Sequence, residues 1–140
     1  MIIQQLSIFL ENRSGQLAQL TGLLAENGMD LRAINLAETA DYGIVRLIVS
    51  EPEKAAGLLL HEQIPATLSP VVTVAVPDRP GGLNELLRML EQRGINVSYM
   101  YSIFGGESEK ASMILRVNDP QALEEVLKAT GYETEGCFGE

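Results

Sequence analysis

Residues 12–31 of this chain return later in altered form, without a gap. Asn12-Arg13-Ser14-Gly15-Gln16-Leu17 is matched by Asp78-Arg79-Pro80-Gly81-Gly82-Leu83, and Gly28-Met29-Asp30-Leu31 by Gly94-Ile95-Asn96-Val97, at a constant offset of 66 (78 − 12, 94 − 28). A third segment, Val45–Pro52, matches Met113–Pro120 at an offset of 68 (113 − 45), so two residues are added in the connection before it. A fixed period of this length means one small structural unit written twice. The 140 residues therefore divide into two units, 1–69 and 70–140, rather than forming one ordinary domain. Units of this size are near the lower limit for an independent core, so each is expected to pack on another unit, and the chain to form a homodimer.

Each unit reads as strand, helix, strand, strand, helix, strand. Leu6, Ile8 and Leu10 alternate with Gln5, Ser7 and Phe9, and Val72, Val74 and Val76 repeat that pattern; a period of two marks a strand with one buried face. Leu17, Leu20 and Leu24, like Leu83, Leu86, Leu87 and Leu90, have helical spacing. Gly28 and Gly94 fall where a helix ends through a left-handed residue. Second strands are expected over Asp30–Thr39 and Asn96–Phe104, with turns at Asp41-Tyr42-Gly43 and Gly105-Gly106-Glu107. Val45, Leu47 and Val49, and Met113, Leu115 and Val117, form the buried faces of the third strands. Pro52 and Pro120 open the second helices, the later one capped by Asp119. Closing strands are expected within Ala66–Ser69 and Glu133–Phe138. This order is the ferredoxin-like βαββαβ plan, α+β, with antiparallel sheets and helices on one face.

Composition narrows the function classes. Apolar residues make up 46% of the chain and charged residues 21%, a globular balance. The net charge is −9, with acidic residues exceeding basic ones in both halves, so neither half offers a footprint for nucleic acid. No run reaches the length of a membrane span. Met1-Ile2-Ile3 leads into Gln4-Gln5 without a basic region, and no secretory signal is expected. A single cysteine, Cys137, excludes an internal disulfide and suits a reducing cytoplasm.

Catalytic chemistry finds little support. His61 has no cysteine or histidine at metal-binding spacing and reads as a surface residue. Cys137 has no base to activate it. Gly105-Gly106 lacks the strand-to-helix setting and the following Lys-Ser/Thr of a phosphate loop. Tyr99 and Tyr101 share a strand face with Val97 and Ile103, where packing is favoured over an aromatic pocket. Arg13 and Arg79 are the identical charged pair of the repeat, and ion pairing on the acidic surface is favoured over ligand binding. No nucleophile–base set and no paired carboxylates are present, so neither an enzyme nor a cofactor or metal site is expected.

A strand ending in Asn12-Arg13-Ser14-Gly15 or Asp78-Arg79-Pro80-Gly81, followed by a Leu-rich helix and then Gly-Met-Asp-Leu or Gly-Ile-Asn-Val, resembles the ACT domain, a small regulatory module of amino-acid biosynthetic enzymes. The second copy is the closer match, because Ser14 stands where the family usually has proline. The resemblance covers the chain twice and implies a stand-alone tandem ACT protein. It also implies an amino-acid effector held at an interface between ACT units, near the first turn and the start of the second strand. Gly15 and Gly81 would let a ligand approach the backbone, with the helix N-terminus behind each suited to a carboxylate. Arg13, Ser14, Arg79 and Pro80 belong to the same turns. The ammonium would fall to Asn12 with Asp30 in copy one and to Asp78 with Asn96 in copy two, one carboxylate and one amide in each. The expected function is regulatory, acting on the protein itself or on a partner metabolic enzyme. The alternative is a dimerising scaffold with a vestigial ligand site.

Overall fold

The computed structural model describes residues 1–11, 13–38, 42–103 and 109–134. Ten elements follow in order: β1 (Ile2–Glu11), α1 (Gln16–Glu26), β2 (Leu31–Glu38), β3 (Tyr42–Val49), α2 (Pro52–His61), β4 (Ala66–Pro77), α3 (Gly82–Gln92), β5 (Val97–Ser102), β6 (Lys110–Val117) and α4 (Pro120–Ala129). They make two compact units, one of Gln4–Ser69 and one of Pro70–Glu140 together with Met1–Ile3.

In the unit Gln4–Ser69 the strand order is β2-β3-β1-β4, using β4 only as far as Ser69. The antiparallel register sets Leu6 opposite Leu47 and Ile8 opposite Val45. Those four, with Val49, face Leu20 and Leu24 of α1 and Ala55 and Leu59 of α2 in one core. Full burial of each leucine contributes roughly 1.5–3 kcal/mol. Such a sum has to offset the ordering entropy of a short chain, which is why the apolar alternation is so strict.

The other unit repeats the plan with β5-β6-β4. Val72, Val74, Val76, Leu115 and Val117 face Leu86 and Leu90 of α3 and Leu123 and Leu127 of α4. Two further segments lie along β4. The Thr73 N–H donates to the Met1 carbonyl at 2.9 Å and the Ala75 N–H to the Glu133 carbonyl at 2.8 Å. The Met1 ammonium donates to the Thr134 carbonyl at 3.1 Å and pairs with the Glu124 carboxylate at 3.2 Å. That pairing is the leading cause holding the Glu124 carboxyl below its ordinary value.

Helix ends follow the repeat. After α1, Gly28 has φ 72°, and the Met29 N–H donates to the Leu24 carbonyl at 2.9 Å. After α3, Gly94 has φ 71°, and the Ile95 N–H reaches the Leu90 carbonyl at the same distance, 2.9 Å. Both are glycine-terminated ends in which the chain reverses and uses orphan carbonyls. Asp119 caps α4 by accepting from the Ala122 N–H at 3.1 Å.

Several expectations are corrected. Ala66–Ser69 and the Val72 strand are one twelve-residue strand, because Pro70 does not interrupt it. Tyr42 and Gly43 belong to β3 rather than to a turn, while Asp41 lies outside the described residues. Both second strands start one residue later than expected, β5 also ends earlier, at Ser102, and each carries a register shift near its start, between Leu31 and Ala33 and between Val97 and Tyr99. The extra residues, Arg32 and Ser98, are bulges, which invert the side-chain parity beyond them. Tyr99 and Tyr101 consequently do not share a face with Val97, which packs in the helix-side core together with Met100. Gly105-Gly106-Glu107, Phe104, Thr39 and residues 135–138 fall outside the described residues.

Candidate ligand site at the strand-to-helix turns

The two turns share one backbone path. Arg13 N–H donates back to the Glu11 carbonyl at 2.8 Å and Arg79 N–H to the Pro77 carbonyl at 3.0 Å, a tight reversal directly after the strand. Gly15 then has φ 87° and Gly81 φ 89°, a left-handed conformation in which a Cβ is strained. Each glycine caps its helix: the Gln19 N–H bonds the Gly15 carbonyl and the Glu85 N–H the Gly81 carbonyl. Neither helix has a side-chain cap at this position. The Gln16 and Gly82 N–H groups turn back to the Arg13 and Arg79 carbonyls, and the next N–H groups of each first turn, at Leu17 and Ala18 and at Leu83 and Asn84, have no partner within the helix.

Arg13, Ser14 and Gly15, and Asp78, Arg79, Pro80 and Gly81, are all exposed. A Cβ added at Gly15 or Gly81 would meet nothing within 4 Å, so open space lies over both. The arginines are engaged locally, Arg13 with Glu11 and Arg79 with Glu85 at 3.3 Å. The Asp78 N–H donates to the Glu109 carbonyl at 2.9 Å, leaving its carboxylate at the surface. Asn12 lies outside the described residues.

Asp30 and Asn96 sit elsewhere. Gly43 is paired with both Leu10 and Glu38, whereas Leu31 is paired with Val49 at the far end of β3. β1 and β2 therefore run in the same direction, and the start of β2 is separated from the end of β1 by the length of β3, about 20 Å. The same holds for Asn96 and the Asp78 turn, since Pro77 pairs with Lys110 and Val97 with Val117. Turn and strand start of one copy cannot grip one small ammonium together. Asp30 instead meets Arg32 at 3.2 Å, and its N–H meets the Ser50 hydroxyl at 3.2 Å.

Around Asn96 lies a cleft of about 380 Å³, with Leu87, Leu90, Ile95 and Val97 as its apolar lining and Glu91 as its charge. Sequence reasoning missed Glu91 because it reads as an ordinary outward residue of a charged helix. The spacing Glu91-x4-Asn96 across the Gly94 reversal was the available signal. Tyr99 and Tyr101 stack with centroids 6.5 Å apart and an interplanar angle of 17°, and Tyr101 is buried. His61 is exposed at the end of α2, and Cys137 lies outside the described residues. Among the described residues no group of three metal-ligating side chains converges.

The sequence model of the ACT domain pair family matches residues 1–133. Among solved structures, protein BT0572 from Bacteroides thetaiotaomicron is 38% identical with a TM-score of 0.88, the match covering 95% of this chain and 91% of that one. The ligand-free regulatory subunit of aspartate kinase from Thermus thermophilus is 18% identical with a TM-score of 0.67, covering 94% and 95%. E. coli aspartokinase III in complex with lysine and aspartate is 16% identical with a TM-score of 0.52, covering 91% of this chain and 32% of that one. No curated protein sequence matches. With two ferredoxin-like units, paired glycine turns and a family match over nearly its whole length, the chain belongs to the ACT domain pair family.

Proposed function

We propose that this protein is a non-catalytic, cytoplasmic regulator that binds a small amino acid at an interface between ACT units, acts as a homodimer and controls a metabolic enzyme. The two ACT domains are residues 1–69 and 70–140. The observation that carries this reading is the pair of exposed turns, each with a left-handed glycine and open space ahead of a helix N-terminus. Backbone N–H groups at such a point suit the ligand carboxylate. Because a turn and a strand start of one copy stand about 20 Å apart, the expected acceptors act together only where the turn of one unit, with Asp78 or Asn12, meets the strand start of another, with Asn96 or Asp30. The regulatory subunit of Thermus aspartate kinase shares the fold, and E. coli aspartokinase III was solved with lysine and aspartate. The first supports a regulatory role and the second an amino acid as the effector class.

A scaffold without a ligand is the second reading, favoured by the local ion pairs of Arg13 and Arg79. Thermal shift against the twenty amino acids separates the two, since a ligand held only by the folded state raises its stability. A cognate amino acid should raise the melting temperature, and Asp78→Asn and Asp30→Asn should each weaken its binding by roughly 1–3 kcal/mol in calorimetry. A flat screen would leave the scaffold reading standing. Such an effector regulates only through unequal affinity for two states.

A further inference from the structure

We propose that α1 is the contact surface of the homodimer, packed antiparallel against α1 of a second copy. The inference rests on the homodimer named above and identifies its surface. A groove of about 670 Å³ runs along α1, lined by Gln16, Gln19, Leu23 and Glu26 and walled by Leu10 and Ile64. In the middle of the helix stands Gly22, which is unfavourable in a helix interior. A Cβ at Gly22 would meet nothing within 4 Å, so packing inside the chain gives no reason for a glycine. Close approach of a second helix axis does.

The charges select the occupant. Glu26 is the one charged residue of α1, in a chain of net charge −9. By contrast α3 carries Glu85, Arg88 and Glu91. The α1 face is thus one on which two copies meet without facing acidic surfaces. Glu26 lies at the negative end of its own helix dipole, and α1 has no acidic residue in its first turn and no basic one in its last. An antiparallel second α1 corrects each of these, because Glu26 of either copy then lies beside the positive N-terminus of the other, within reach of its Gln16 and Gln19 amides. The two Glu26 carboxylates stay about 15 Å apart, the length of the helix, beyond the range of effective repulsion at physiological salt.

Sedimentation equilibrium on the full chain tests this. The wild type should be a dimer. Glu26→Lys suits the C-terminal end of its own helix, so the fold should be retained while dimerisation weakens about tenfold; adding Gln16→Glu should restore it. Gly22→Trp should give a monomer with unchanged helix content. A wild-type dimer that persists undiminished in Glu26→Lys and Gly22→Trp overturns the α1 interface and leaves the homodimer reading intact. A wild type that is monomeric at every concentration overturns both, whether or not a cognate amino acid binds.

Discussion

The two strand-to-helix turns reach the same backbone by different means. At Arg79-Pro80-Gly81-Gly82 the proline presets φ, and the helix start presses on the strand end. A Cβ on Gly82 would overlap the Pro77 carbonyl oxygen and stand 3.1 Å from its carbon. At Arg13-Ser14-Gly15-Gln16 there is no proline, and Gln16 occupies the corresponding position with a full side chain. Its N–H meets the Arg13 carbonyl at 3.3 Å, against 3.0 Å for Gly82 and Arg79, while the bond back to the strand end is the shorter one in the first turn, 2.8 Å against 3.0 Å. The left-handed glycine, in contrast, is common to both, within two degrees of φ (87° and 89°). Positions where the copies agree report what the turn requires, and positions where they differ report how each helix happens to pack.

That distinction fails if substitutions do not rank accordingly. Gly82→Ala should cost the most, about 3 kcal/mol, because backbone has to move to relieve the overlap. Gln16→Ala at the corresponding position should cost under about 0.5 kcal/mol. Chemical denaturation of both measures the gap, and equal losses would erase the contrast. Next come Gly15→Ala and Gly81→Ala, each expected to lose about 1–2 kcal/mol through φ strain alone. A marked inequality between those two would show that Pro80 or Ser14 shares the conformational load.

The second helices extend the comparison. Asp119 accepts from the Ala122 N–H, whereas Glu51 at the start of α2 makes no side-chain cap bond. Asp119→Ala should therefore cost about 1 kcal/mol, and Glu51→Ala a few tenths at most. A further small effect belongs to Glu124, whose folded-state pKa is lowered chiefly by the Met1 ammonium. Its contribution is present above the ordinary carboxylate value and lost as pH falls through the lowered one. Glu124→Gln should remove about 0.5 kcal/mol at neutral pH and flatten the acid limb of the stability profile. An unchanged limb would show that the pair contributes nothing.

Much of this was legible in the residues because the physics was local. Leucines at helical spacing, glycines at helix ends and prolines at first helical positions each act over a few residues, and they were written twice. The bulges at Arg32 and Ser98 were not legible, since Val97, Tyr99, Tyr101 and Ile103 read as one uninterrupted alternation. The expectation of two separate strands, one within Ala66–Ser69 and one around Val72, erred in the opposite sense, since β4 continues through Pro70, whose carbonyl accepts from Arg116 at 2.7 Å. The candidate site was half legible. Arg13, Ser14 and Gly15 share one turn, as do Asp78 to Gly81, because they are neighbours in the chain. The distance from such a turn to the start of the next strand is set by strand direction, which spacing along the chain does not express. A strand that follows a helix crossover begins at the end of the sheet from which the first strand also began.

The placement of Met1–Ile3 with residues 70–140 bears on the order in which the molecule is built. Gln4–Ser69 holds its core contacts within one contiguous stretch, so it can condense once those residues have left the ribosome. Met1 has partners at Thr73 and Thr134, separations of 72 and 133 positions. Closing contacts across such spans is slow. Met1–Ile3 is thus among the later parts of this unit to find its place, and the flank beside β4 stays open until Thr134 has been made.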